Sequence, residues 1–153
     1  MEIKEKTIPA QQMALINHKG LEEDIVPLTE EIMIWAAAEE VEVAGPPFLI
    51  NYPTAQADPG YKIFDVGYPI KSETAVDKDK IKVVELLEHK VLSCVYDGPR
   101  SDIKKAYDAM VEYSIENKYD IIGSPKEVLL TYDYDLNADD LITEIQFPVI
   151  FMG

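Results

Sequence analysis

One cysteine, two histidines and a single tryptophan in 153 residues leave little material for several common kinds of chemistry. Cys94 has no second cysteine for an internal disulfide. It lies in the apolar run Val91-Leu92-Ser93-Cys94-Val95 with no basic neighbour to activate it, so it reads as a buried, inert thiol. With His18 and His89 the only histidines, no His/Cys/Asp/Glu group has structural metal spacing, and no metal or other cofactor is expected. No serine or cysteine is coupled to a base, and no glycine-rich loop follows a strand to cradle a phosphate. Basic residues are scarce. The 14 Lys and Arg against 29 Asp and Glu give a net charge of -15 and a pI near 4.4. That balance argues against direct nucleic-acid binding and favours a cationic ligand or a basic protein partner. No apolar run approaches membrane-spanning length, and the charged start Met1-Glu2-Ile3-Lys4-Glu5-Lys6 carries no signal-peptide core. A cytoplasmic protein without membrane contact is the expectation.

What the chain does have is 47% hydrophobic and 28% charged residues, enough for one folded domain spanning 1–153. Strands are expected over 2–8 and 10–18, joined at Pro9-Ala10, and Gly20 breaks the second. Ile25, Leu28, Ile32, Trp35 and Ala36 follow the three-four spacing of one helical face, predicting a helix that runs to about Glu40. Gly45-Pro46-Pro47 then turns the chain into a strand near 48–52, a loop at 53–60 follows, and 61–70 is a further strand. The polar stretch 71–80 reads as a linker. After it the programme repeats: strands at 81–88 and 90–96, then a helix capped by Ser101 with Ile103, Ala106, Met110 and Tyr113 on its face. Gly123-Ser124-Pro125 leads into the next strand, a loop covers 133–140, and a last strand runs over 141–151. The acidic run Glu22-Glu23-Asp24 reads as a solvated face or a helix cap.

The two programmes superpose. Gly20 falls on Gly98, Ile25 on Ile103, Gly45 on Gly123 and Pro47 on Pro125, a constant shift of 78 residues. With one added residue, Tyr68-Pro69-Ile70 falls on Phe147-Pro148-Val149. Two copies are too few for a solenoid. They predict an α+β domain of duplicated ββαββ units, with halves at about 1–72 and 79–153, each laying one helix on an antiparallel sheet around a central ligand cleft. One position breaks the likeness. In the apolar run Glu127-Val128-Leu129-Leu130 the second copy holds an acid where the first holds Leu49.

The chain also resembles the GyrI-like, AraC-type effector-binding domains, in a stand-alone form. The matching pieces are Ile8-Pro9-Ala10, His18-Lys19-Gly20, Trp35-Ala36-Ala37-Ala38, Gly45-Pro46-Pro47-Phe48 and Asp65-Val66-Gly67-Tyr68-Pro69-Ile70. In the second half they are Gly98-Pro99, Ala106-Tyr107, Gly123-Ser124-Pro125-Lys126-Glu127-Val128 and 141–149. The resemblance implies a pseudo-symmetric domain whose glutamate, here Glu127, sits in the cleft among aromatic side chains. Multidrug-sensing relatives use it to bind cationic lipophilic compounds; other relatives protect gyrase from toxins or resemble hydrolases of cyclopropanoid compounds. Two positions depart from the pattern: Leu129 stands where the family has a tyrosine, and Arg100 where an aromatic residue often follows Gly-Pro.

A carboxylate facing an apolar cleft seeks a cation or a hydrogen-bond donor, which makes Glu127 the candidate anchor. Trp35 and Tyr113 hold equivalent places on the two helices and, with Tyr68 and its counterpart Phe147, are candidate aromatic walls. Tyr52 is a further candidate, although Asn51 competes for its place. Tyr107 shares the buried helix face with Ile103 and Met110 and reads as core. These residues predict a protein that binds an apolar, cationic and aromatic small molecule. The alternatives are a hydrolase using Glu127 as general acid/base and a gyrase-protecting interaction module that engages a basic partner.

Overall fold

Proline cannot donate to a strand ladder, so the chain leaving Ile3 must break its pairing at Pro9. In the computed structural model, which describes residues 1–53, 60–132, 136 and 141–153, that break organises the whole sheet. Strand β1 (Ile3–Ile8) precedes it and β2 (Gln11–Gly20) follows it; β6 (Lys82–Leu86) and β7 (His89–Asp97) flank the equivalent break at Leu87-Glu88. β1 pairs with β7 and β2 with β6, both antiparallel, with Ile3 opposite Cys94, Ile8 opposite His89, Gln11 opposite Leu86 and Leu15 opposite Lys82. The register is the same on both sides of the break. The two segments therefore form one long bent ribbon, in which each half of the duplication lends its first strand to the other half's sheet.

Within each half the remaining strands follow the expected order. The first contains β3 (Glu42–Val43), β4 (Phe48–Tyr52) and β5 (Lys62–Lys71); the second contains β8 (Tyr119–Ile121), β9 (Lys126–Leu129) and β10 (Ile142–Phe151). The sheet runs β1-β7-β10-β9-β4-β5-β2-β6, with β3 added to β5 and β8 to β10, and every pairing is antiparallel. The short strands β3 and β8 have no signal in the periodicity. The loops expected at 53–60 and 133–140 lie largely outside the described residues. Gly67 is required where β5 pairs with β2 opposite Leu15, because a Cβ there would meet the carbonyl oxygen of Ala14 at 2.5 Å.

Two helices cover one face. α1 (Ile25–Ala38) buries Ile25, Leu28, Ile32, Trp35 and Ala36, the face its spacing predicts, against Ile16, Leu49, Phe64, Val66 and Tyr68. α2 (Lys104–Glu116) buries Ala106 and Met110 against Leu92, Cys94, Ile145 and Phe147. Each fully buried aliphatic or aromatic side chain contributes about 1.5–3 kcal/mol relative to exposure. Ser101 does not cap α2. A single 3-10 turn at Arg100–Asp102 precedes the helix, whose N-cap is Ile103, and the matching turn Glu22–Asp24 precedes α1. Cys94 is buried, as expected, and burial pushes its thiol up from the ordinary range.

The ladder between β4 and β9 joins the halves, with Phe48 opposite Val128, Leu49 opposite Glu127 and Ile50 opposite Lys126. Leu49 and Glu127 are equivalent positions of the duplication. Residues related by a two-fold axis can touch only where the axis passes, so the pseudo-two-fold runs through this pair. It also passes through the break in the long ribbon, where Pro9-Ala10 and Leu87-Glu88 are equivalent. Two more equivalent pairs meet along it. Arg100 contacts Glu22, and Lys126 lies over the ring of Phe48 with its Nζ 4.4 Å from the centroid. Two identical charges at such a point would repel; each of these pairs instead joins unlike, complementary residues.

Candidate functional site: the Glu127 cluster under the helices

Side chains alternate across a strand, so Glu127 and Leu129 point to one face of β9 while Lys126 and Val128 point to the other. The turn Gly123-Ser124-Pro125 sets this register, since the Pro125 carbonyl accepts the Asn51 backbone N–H at 3.0 Å. Glu127 thereby faces the helices and is only 3% exposed.

Three side chains from three elements converge on it. Asn51 of β4 donates its Nδ2 to Glu127 Oε2 at 2.6 Å, and Tyr107 of α2 donates its hydroxyl to the same oxygen. Asn51 Nδ2 also reaches the Tyr107 hydroxyl at 3.0 Å, closing a small network. On the other side Arg100 Nη2 stands 2.7 Å from Glu127 Oε1. That contact is a close ion pair rather than an aligned hydrogen bond: among the described residues, Glu127 Oε1 and Arg100 Nη1 are both buried without a hydrogen-bond partner. Arg100 Nε is better placed, donating to Glu22 Oε1 at 2.7 Å. Lys62 Nζ approaches the same Glu22 oxygen at 3.9 Å from the exposed side.

The electrostatics follow from burial and neighbours. Burial alone would push the Arg100 guanidinium towards its neutral form, but Glu127 and Glu22 outweigh it and hold the group charged. Burial and the adjacent Glu127 charge push the Tyr107 phenol well above its usual range. Its proton therefore stays on the ring oxygen, which fixes Tyr107 as donor and Glu127 as acceptor. Two carboxylates share one guanidinium, with the side chain of Glu22 38% exposed and that of Arg100 only 5%. Desolvating such a cluster opposes its Coulomb attraction, so its presence in the core is weak evidence for stability.

The expected aromatic residues divide. Phe147 on β10 packs edge-on against Tyr107, with centroids 5.5 Å apart, and so backs the residue that holds Glu127. Tyr68 is buried in the core under α1, and Tyr113 packs against the core under α2. Trp35 shares the core with Tyr68 but opens onto a hollow of about 470 Å³ between α1 and residues 78–81, its Nε1 buried without a hydrogen bond among the described residues. Tyr52 lies on the opposite face of the sheet from Glu127, where its hydroxyl donates to Asp65 Oδ2 at 2.5 Å. Asn51, its rival for the position, is the neighbour that reaches Glu127.

Arg100, Tyr107 and Glu22 are the residues the sequence reading left out of the site. Tyr107 does lie on the buried helix face, but its hydroxyl extends past the core to the carboxylate, as amphipathic side chains do. Glu22 is not merely part of a solvated acidic run. The usable signal was in the duplication: at a shift of 78 residues, Glu22 falls on Arg100, opposite charges at equivalent places.

This duplicated antiparallel sheet, with its helices on one face and a buried carboxylate on the axis, has a family. The chain belongs to the GyrI-like small molecule binding domains, whose model matches residues 1–150. The EcmrR C-terminal domain superposes with a TM-score of 0.84 over 99% of this chain and 98% of its own, at 16% identity. Against EcmrR in its DNA complex the TM-score is 0.85, but the chain spans only 58% of that protein. A hydrolase from Listeria innocua (TM-score 0.73, 11% identity, 97% and 92% covered) shares the fold. So does SAV2435 bound to tetraphenylphosphonium (TM-score 0.59, 15% identity, 98% and 94% covered). No curated protein matches significantly by sequence. Among the described residues, no helix is long and apolar enough to cross a membrane.

Proposed function

We propose that this small-molecule-binding domain takes a ligand with an apolar body and a positive pole, on the helix-facing side of the sheet, with Glu127 as its charged anchor. The observation that carries this reading is the state of Glu127 Oε1. It is buried and, among the described residues, has no aligned hydrogen bond and is met by Arg100, which has a better-directed partner in Glu22. A ligand cation can take the place of Nη2 on Oε1 while Arg100 remains on Glu22, so no charge is left without a partner. Lys62 also approaches Glu22, at 3.9 Å, so that carboxylate keeps cationic neighbours while the ligand neutralises Glu127. Tyr107 and Phe147 supply aromatic surface beside it, where each cation–π or stacking contact adds roughly 0.5–2 kcal/mol. The tetraphenylphosphonium held by SAV2435, a protein of the same fold, is a ligand of this chemistry.

Isothermal titration with tetraphenylphosphonium and with neutral triphenylphosphine oxide tests the reading. Saturable binding of the cation, at least about tenfold tighter than the neutral compound, is expected. Equal affinity for the two would remove the charged anchor from the account.

A hydrolytic reading draws on the same carboxylate, because the Tyr107–Glu127 contact pairs a base with a phenolic donor. The elevated phenol and the two donors already on Oε2 favour binding over proton transfer. Turnover of an electrophilic substrate that is lost in Glu127→Gln would reverse that preference.

A further inference from the structure

We propose a second small-molecule site on the reverse face of the sheet, for a compact organic carboxylate held by Lys126 and Gln146. The cavity there measures about 220 Å³, room for about seven water-sized groups. Ile50, Leu86 and Val91 give it apolar walls, and Lys126, Gln146, Ser124, His89 and Tyr52 bring polar groups to it. It lies between the β4–β9 junction and the bend of the long ribbon, on the side of the strands away from the helices.

Its polar groups are built in and incompletely satisfied. Lys126 and Gln146 are direct cross-strand partners in the β9–β10 ladder, so their side chains leave the same face side by side. The Lys126 ammonium touches the face of Phe48 and approaches Met13 Sδ at 4.0 Å; neither carries a formal charge. Among the described residues, no carboxylate oxygen lies within ion-pair distance of it. Glu144, the carboxylate whose charge Lys126 feels, is already engaged by Lys6 at 2.8 Å, Ser93 at 2.8 Å and Gln146 Nε2 at 3.0 Å. Burial outweighs the pull of Glu144 and lowers the lysine's pKa, the sign of a cation short of a counter-charge.

Gln146 completes the arrangement. Its amide nitrogen is committed to Glu144, which leaves Oε1 as the free end. That oxygen is buried and, among the described residues, has no hydrogen-bond partner, on a residue only 5% exposed. The cavity thus offers one half-buried cation, an acceptor oxygen without a hydrogen bond among the described residues, and an apolar wall, with His89 and Tyr52 at its lining. The complementary molecule carries a carboxylate for Lys126, an O–H or N–H donor for Gln146 Oε1, and a small apolar body. Inorganic phosphate fits less well, because a single ammonium and an acceptor oxygen do not match three anionic oxygens. The chain's overall negative charge slows the approach of an anion but is screened in salt, whereas the buried contact is not. Lys126 replaces Phe48 of the first half just as Glu127 replaces Leu49. Consecutive residues of β9 thereby present opposite charges to opposite faces.

The probe is 4-hydroxyphenylacetate, followed by isotope-edited NMR of the full chain, with neutral 4-hydroxyphenylacetamide as its isostere. Saturable shifts centred on Ser124, Lys126 and Gln146 are expected, with the amide at least about tenfold weaker. Lys126→Met should lose the same factor without lowering the thermal midpoint, and Lys126→Arg should retain binding. The absence of saturable shifts at this cavity, equal binding of the amide, or undiminished affinity in Lys126→Met would each overturn the proposal. The isostere comparison uses the unmodified chain, so it holds even if a variant fails to fold.

Discussion

Arg100 Nη2 and Glu127 Oε1 stand 2.7 Å apart in the core, on the axis that relates the two halves of the chain. Arg100 places an internal cation against the buried carboxylate. The guanidinium occupies the place that a positively charged ligand would take on Glu127, and Glu22 offers it somewhere else to go. On the reading proposed above, ligand binding is an exchange of one cation for another.

Removing the internal cation separates its two effects. Arg100→Met leaves Glu127 buried without its counter-charge, and loss of one partner of a buried pair costs about 3–5 kcal/mol. The same change removes the competitor for Oε1. Urea denaturation should show the loss of stability, and tetraphenylphosphonium should restore more of it in the variant than in the parent. An equal or smaller ligand-induced gain in the variant would argue against exchange.

Tyr107→Phe removes a donor from Glu127 while keeping the ring against Phe147. The cost expected for a hydrogen bond to a charged acceptor is about 1.5–3 kcal/mol by urea denaturation. Asn51 still donates to Oε2, so cation affinity should change less than in Glu127→Gln.

Glu144 gives the acid limb of the stability profile. Burial would raise its pKa, but hydrogen bonds from Lys6, Gln146 and Ser93 outweigh burial and hold it below the ordinary value. A carboxylate depressed in the folded state contributes stability that is fully present above its unfolded pKa, about 4.3. That contribution is lost as pH falls through the lower folded value, because the unfolded chain then binds more protons. Denaturation of Glu144→Gln at a series of pH values should show lower stability at neutral pH and a shallower fall below about pH 4. Asp24, lowered chiefly by its hydrogen bond with His18, titrates in the same direction.

Gly67→Ala tests the close packing of β5 beside β2. The added methyl would press on the Ala14 carbonyl and the Phe48 ring, and overpacking of this kind costs about 1–3 kcal/mol. Thermal unfolding should show the loss. An unchanged midpoint would mean that the strands can move apart there.

The duplication was legible because turn residues and helix faces recur at a fixed distance, and those features are local. Which strand pairs with which is not local. Nothing in Ile3–Ile8 says that it joins β7 rather than the strand that follows it, so the exchanged ribbon stayed hidden. Glu127 stood out because it interrupts an apolar run. Its partners come from β4, α2 and the turn before α2, and no periodicity links Asn51, Arg100 and Tyr107. The choice between Asn51 and Tyr52 was a matter of register, since one step along a strand sends a side chain to the other face. Ser101 had the chemistry of a cap, but the chain enters α2 through a 3-10 turn that moves the helix start past it.

A structure of the chain with tetraphenylphosphonium bound tests the central claim most directly. The account predicts the phosphonium on the helix-facing side beside Glu127 Oε1, with Arg100 turned away from that oxygen and still bonded to Glu22. A ligand seated elsewhere, with the 2.7 Å contact between Arg100 and Glu127 intact, would contradict it.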